Sequence, residues 1–184
     1  MPGPLERPRR LVQELRRKRL IRRLLQRRPV SLLFVCHANL CRSPYAARAM
    51  SRLLPRDLRT AIAIDSAGFA GPGKSPPPEA IAVASGRGVD LRSHRSRPLG
   101  PAAVRAADFV WVMEPSQQRE VCSRYRRSSQ RVLLLGDLDP RPSASRAIED
   151  PFGKPREVYI SSYERIDRCL AELARTVIGA PPHR

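Results

Sequence analysis

Leu32-Leu33-Phe34-Val35 is an apolar run of strand length that stops at Cys36. The short loop His37-Ala38-Asn39-Leu40-Cys41-Arg42-Ser43 follows, and Pro44 opens the alanine-rich stretch Tyr45-Ala46-Ala47-Arg48-Ala49-Met50. This pattern spells strand, loop, helix, and commits the chain to an α/β architecture. Backbone N–H groups of such a loop and of the first helical turn lack intrahelical partners, so they converge on a point and favour an anion there. Pro44 suits the first helical position, because the N–H it lacks would be unpaired there anyway.

Cys36 stands at the mouth of this cradle, where amide dipoles and the Arg42 guanidinium both favour thiolate over thiol. Arg42 can grip two equatorial oxygens of a phosphoryl group in a bidentate fork and hold charge as the transition state spreads it. Ser43 can donate its hydroxyl to the sulfur, steadying it as attacker and as leaving group. A cysteine followed six positions later by an arginine arises easily by chance in so arginine-rich a chain. Joined to a strand ending on Cys36, the loop Asn39 and Arg42-Ser43-Pro44, it outweighs a packing role.

Leu33-Phe34-Val35-Cys36 with Asn39, Cys41-Arg42-Ser43-Pro44 and Ala46 closely resembles the signature of low-molecular-weight protein tyrosine phosphatases. The resemblance implies a three-layer α/β/α fold with a four-stranded parallel sheet, phosphatase I-like and related to the Rossmann type. It implies hydrolysis of protein phosphotyrosine through a cysteinyl phosphate on Cys36, with residues His37, Ala38, Asn39, Leu40, Cys41, Arg42 and Ser43 around the phosphate and neither metal nor cofactor. Two positions depart from the pattern: Ala38 stands where glycine is usual, and Ala47 where an acidic residue commonly follows the alanine. A positive φ would make Ala38 costly, whereas a negative φ would make it harmless.

Downstream, Thr60-Ala61-Ile62-Ala63-Ile64 reads as a second strand leading to Ser66-Ala67-Gly68, which resembles the family's next signature. Phe69 is the aromatic expected beside a substrate ring, although a cap on the local core explains it equally well. Residues Pro78 to Arg87 have helical composition and end among glycines. His94 sits in the basic connection Leu91 to Pro98 and reads as a surface hydrogen-bonding residue. A third strand spans Asp108 to Met113, followed by Glu114, taken as structural, and a helix opened by Pro115. Val132-Leu133-Leu134-Leu135 is the fourth strand. Strands alternating with helices imply a parallel sheet with right-handed crossovers.

Ligands of such sheets sit beyond the carboxyl ends of the strands, so the loop after the fourth strand can reach an anion held after the first. There Asp150-Pro151-Phe152-Gly153 resembles the family's acid-bearing loop. A thiolate displacing a tyrosyl oxygen leaves an anion that a positioned carboxylic acid should protonate. Asp150 is the expected general acid, then the base for water, and Phe152 part of an aromatic slot. Gly153 stands where many relatives carry a second aromatic. The closing stretch Tyr159 to Ile178 has one apolar helical face and reads as scaffold.

Three rival readings are weighed against tyrosine phosphatase activity. Family members acting on phosphoarginine resemble this chain but carry threonine where Leu40 stands. Related arsenate reductases need two further cysteines near the end of the third strand, where Met113 occupies the first place. A catalytically silent phosphoprotein-binding module would not need Asp150. Cys41 is near enough in sequence to bridge Cys36 on oxidation, or is a small buried thiol.

The 184 residues carry 35 Lys and Arg against 17 Asp and Glu, and half of the net +18 falls within residues 1–29. That segment reads as a helical, arginine-rich extension preceding a phosphatase domain over residues 30–184. Its apolar residues 11, 12 and 15 lie on one side of a helical wheel and 20, 21, 24 and 25 largely on the other, so no single stripe emerges. Contact with an anionic membrane surface is one expectation for it. Nucleic acid is disfavoured, since no zinc spacing, aromatic platform or helix-turn-helix pattern accompanies the charge. Four cysteines without a regular framework, and no signal-type or membrane-spanning apolar run, point to thiols in a cytoplasmic protein. Bacterial relatives implied by the resemblance often reverse tyrosine kinases of polysaccharide export.

Overall fold

The computed structural model describes residues 6–27 and 29–179. The ends of both expected segments, residues 1–5 and 180–184, lie outside the described residues.

Helix α1 (Glu6–Arg27) precedes β1 (Ser31–Cys36), α2 (Arg42–Leu53), α3 (Arg56–Ala61), β2 (Ala63–Gly68), α4 (Pro78–Gly86) and α5 (Pro101–Ala106). Strand β3 (Phe109–Val112), α6 (Pro115–Arg124), β4 (Val132–Leu134), a 3-10 turn (Leu135–Leu138) and α7 (Arg156–Ile178) complete the order. The four strands form one sheet in the order β2-β1-β3-β4, every pair parallel. The expected three-layer α/β/α architecture is therefore present.

The period-2 alternation of strand side chains divides the core in two. Leu32, Phe34, Phe109, Trp111 and Leu133 join the cluster that receives α2, α4 and α7, while Leu33, Val35, Val110, Val112 and Val132 meet Val104 of α5 and Val121 of α6. Both faces being covered, β1 and β3 read as continuous apolar runs, as parallel strands buried on two sides do. Tyr45 of α2 stacks on Tyr163 of α7 with ring centroids 3.9 Å apart, tying those helices together.

Several boundaries differ from the sequence reading, most of all around the second strand and the start of α2. Thr60 and Ala61 close α3, and the second strand starts at Ala63 and runs on through Ser66-Ala67-Gly68. Strand β2 is the sheet edge, where polar Asp65 and Ser66 are tolerated and dilute the apolar signal. Helix α2 starts at Arg42, which makes Pro44 its third residue rather than its first. The missing Pro44 N–H is still one of the helix's first four, and the helical ladder opens with Tyr45 N–H to Cys41 O at 3.3 Å.

Candidate active site

The elements bearing the expected site residues all end on one side of the sheet. Strand β1 delivers Cys36, β2 delivers Gly68, Glu114 follows β3, and the long loop after β4 returns Asp150 towards the end of β1.

Cys36 is buried with its Sγ 3.1 Å from Ser43 Oγ. Asn39, fully buried, has φ of 55° and is the only left-handed residue of the loop. Its Nδ2 donates to Ser43 Oγ at 2.9 Å and Ser66 Oγ at 3.0 Å, and its Oδ1 accepts the Arg97 N–H at 2.9 Å. Because Ser43 Oγ already accepts from Asn39, its own hydrogen is free for Cys36 Sγ or for Ala67 O at 3.3 Å. Ala38 has no positive φ, since the left-handed turn falls on Asn39, where asparagine tolerates it. Alanine in the place of glycine is therefore unstrained.

Gly68 supports the loop from below. A Cβ there would lie 2.6 Å from Asn39 N and 2.8 Å from His37 O, so only glycine lets β2 approach this closely. Phe69 N–H and Ala70 N–H both donate to His37 O, at 2.7 and 3.1 Å. Within the described residues, no amide from Ala38 to Ser43 donates to a carbonyl. These N–H groups remain open to an anion.

Arg42 is 1% exposed. Its Nη1 donates to Glu114 Oε1 at 2.6 Å and Ile148 O at 2.9 Å, and its Nη2 to Asp150 Oδ2 at 2.5 Å. Its Nε is buried without a partner. The expected fork on phosphate is thus turned: the far edge of the guanidinium is taken by the protein, leaving Nε–H and the second Nη2 hydrogen for oxygens. Glu114, expected to be merely structural, is an ion-pair partner of this arginine and also accepts from Gln117 Nε2 at 3.0 Å.

His94 is a correction of a different kind. It is 8% exposed rather than on the surface, and its Nε2 meets the Asn39 carbonyl at 2.8 Å. Burial pushes its pKa below the usual 6.5, aided by the nearby charges of Arg48 and Arg95 and opposed by the Asn39 bond. Local composition hid this, because an arginine-rich connection reads as surface. That Ser66 and Arg97 hold Asn39 was missed for another reason: those roles depend on contacts far along the chain.

Cys41 immediately precedes α2, buried, with its thiol held protonated well above the ordinary range chiefly by desolvation. Leu40 is buried in the main core cluster, whereas His37 is exposed. Of the two expected aromatic walls, Phe69 is half-buried against the second core cluster and Phe152 is exposed at the tip of the Asp150 loop. The Phe152 N–H donates to Asp150 Oδ1 at 3.3 Å, and Gly153 beside it has φ of 71°, a left-handed conformation that disfavours a bulky side chain.

A family model for low molecular weight phosphotyrosine protein phosphatases matches residues 31–180. The chain belongs to this family. The probable low molecular weight protein-tyrosine-phosphatase EpsP of Ralstonia nicotianae is 30% identical to this phosphatase over 139 residues, covering 75% of this chain and 89% of that one. The structure of the tyrosine phosphatase Wzb from Escherichia coli K30 in complex with sulphate matches with a TM-score of 0.70 and 28% identity, over 80% of this chain and 97% of that one. The YwlE arginine phosphatase from Geobacillus stearothermophilus matches with a TM-score of 0.72 and 27% identity, over 85% and 100%. The phosphatase match begins at the start of β1 and leaves α1 outside it. No described helix of the phosphatase is long and apolar enough to cross a membrane.

Proposed function

We propose that this tyrosine phosphatase works through Cys36 as nucleophile, Arg42 as phosphate clamp and Asp150 as general acid and base. The carrying observation is the Arg42 constellation: a buried guanidinium that binds the Asp150 carboxylate while its Nε and the loop amides are left without acceptors. A tetrahedral phosphoryl group seated on those donors would lie between the Cys36 sulfur and the Asp150 carboxyl.

In the first step the Cys36 sulfur attacks phosphorus, the bond to the tyrosyl oxygen breaks, and Asp150 passes its proton to that oxygen. In the second, Asp150 takes a proton from water, water oxygen bonds to phosphorus, and the S–P bond breaks to release inorganic phosphate. Ser43 donates to the departing sulfur. Arg42 and the amides hold charge in both transition states.

Leu40, an apolar residue built into the core, supports phosphotyrosine over phosphoarginine as substrate, and Met113 in place of a cysteine argues against arsenate reduction. Resemblance to bacterial relatives suggests a tyrosine kinase of polysaccharide export as the protein substrate. Oxidation of the Cys36 sulfur by a peroxide to sulfenic acid, then condensation with the Cys41 thiol with loss of water, would give a reversible block. On α1, the exposed Leu11 and Leu15 lie opposite buried Leu20 and Leu24, on the face that also carries Lys18, Arg19 and Arg22, which supports contact with an anionic surface.

The deciding experiment is metal-free turnover of para-nitrophenyl phosphate by wild type, Cys36→Ser and Asp150→Ala. Wild type should turn over, Cys36→Ser should be inert, and Asp150→Ala should lose on the order of 100-fold or more. Wild type as inert as Cys36→Ser would instead leave a phosphoprotein-binding module.

A further inference from the structure

Helix α1 lies outside the family match, yet it is bound to the rest of the molecule. Leu20 and Leu24 are 6% and 1% exposed within the main core cluster, and Arg17 Nη1 pairs with Glu172 Oε2 of α7 at 3.2 Å. Nearer its start, one side chain reaches a single loop three times. Gln13 Nε2 donates to Asp139 O at 3.0 Å and to Arg141 O at 2.8 Å, while its Oε1 accepts the Ser143 N–H at 3.0 Å.

That loop leads to Asp150. Its other side is held from α7, where Arg165 donates to Ser145 O at 2.6 Å and Ala147 O at 2.7 Å. Arg168 takes both carboxylate oxygens of Asp139, each at 3.0 Å, and Asp139 is 2% exposed. Ile148, fully buried, then anchors the chain two residues before the acid, and its carbonyl accepts from Arg42. Between the 3-10 turn and α7 the loop has no regular structure, so only such bonds offset the entropy of holding it in one place. A glutamine amide has one acceptor and two donor hydrogens on one planar group, which lets it fix three backbone groups at once.

We propose that α1 is an intramolecular strap for the acid-bearing loop, with Gln13 as a positioning residue that sets where Asp150 stands. The inference rests on the reading of Asp150 as general acid. It makes protonation of the leaving group depend on a helix outside the family match. Loss of the Gln13 bonds frees the loop without touching the Cys36 cradle.

The test uses the full chain and kcat/KM, which reports steps up to departure of the leaving group. Phenyl phosphate, whose leaving oxygen needs a proton, is compared with 2,4-dinitrophenyl phosphate, whose leaving group departs without one. Gln13→Ala should lower kcat/KM for phenyl phosphate by about tenfold and for the dinitrophenyl ester by less than about twofold. It should cost nothing further in the Asp150→Ala background, and hydrogen exchange at the Ser143 amide should speed up.

Equal losses on both substrates, full additivity with Asp150→Ala, or unchanged kinetics would overturn the strap. If Asp150→Ala itself shows no preference for the better leaving group, the acid assignment fails. Exchange at residues 143 to 150 then decides the strap alone, faster exchange supporting it and unchanged exchange refuting it. Should Gln13→Ala not fold, Gln13→Glu keeps the acceptor for Ser143, removes both donations and is read the same way.

Discussion

Arg42 Nη1 and Glu114 Oε1 lie 2.6 Å apart, joining the first residue of α2 to the residue just before α6. The carboxylate is one-third exposed while the guanidinium is buried, so the pair aims the arginine more than it neutralises an interior charge. Glu114→Ala leaves Nη1 with the Ile148 carbonyl alone and lets the guanidinium shift towards Asp150. kcat/KM for an aryl phosphate is expected to fall roughly 10- to 100-fold, in line with the cost of misplacing a catalytic group by about 1 Å. Glu114→Gln, which retains an acceptor oxygen, should recover much of the loss; steady-state kinetics on both variants checks this.

Gly68→Ala tests the contact beneath the anion loop. The added Cβ would meet backbone atoms of Asn39, His37 and Ala38 at 2.6 to 2.9 Å, none of which is the end of a flexible side chain. We expect a loss of about 1–3 kcal/mol in chemical denaturation, as for other overpacked sites, and a weakened affinity for inorganic phosphate as a competitive inhibitor. Retained phosphate affinity together with wild-type stability would refute the close approach.

Helix α1 should be part of the stable fold. Leu24→Ala is expected to cost about 2–5 kcal/mol, because the residue is buried in the main cluster. Leu11→Asp and Leu15→Asp, on the opposite face, should change stability by no more than about 0.5 kcal/mol, yet reduce binding to phosphatidylserine vesicles. Vesicle sedimentation that is the same for wild type and these variants would remove the anionic-surface proposal without disturbing the fold.

His94 predicts an acid weakness. Its folded-state pKa lies below the ordinary 6.5 because it is buried, with Arg48 and Arg95 adding to the depression. Above pH 6.5 it is neutral whether folded or unfolded and contributes no slope. As pH falls below 6.5 the unfolded chain takes up the proton first, so this contribution to stability falls until the folded pKa is passed. Thermal melts of His94→Gln should show a shallower loss over that window than wild type.

Much of this molecule was legible in local pattern. The run from Leu32 to Met50 specified strand, anion loop and helix, because apolar periodicity, a loop asparagine and a proline near a helix start are local signals. The β3 and β4 strands followed from the same logic, whereas the loop of Asp150 was singled out by its resemblance to the family's acid-bearing motif. What local pattern misjudged was a short helix and an edge strand, where Asp65 and Ser66 mask the strand period.

The sequence by itself determined the family, the parallel sheet and the expected identities of Cys36, Arg42 and Asp150, since strand period and motif spacing are written in neighbouring residues. Only the tertiary structure decided that Glu114 and Asp150 share one guanidinium, that His94 supports the anion loop from within, and that Gln13 grips a loop more than 120 positions away. Those outcomes depend on distances across the fold. A charged or amide side chain in an arginine-rich segment looks the same in sequence whether it faces water or a buried carbonyl, and its partner is chosen only when the sheet brings distant loops to one edge.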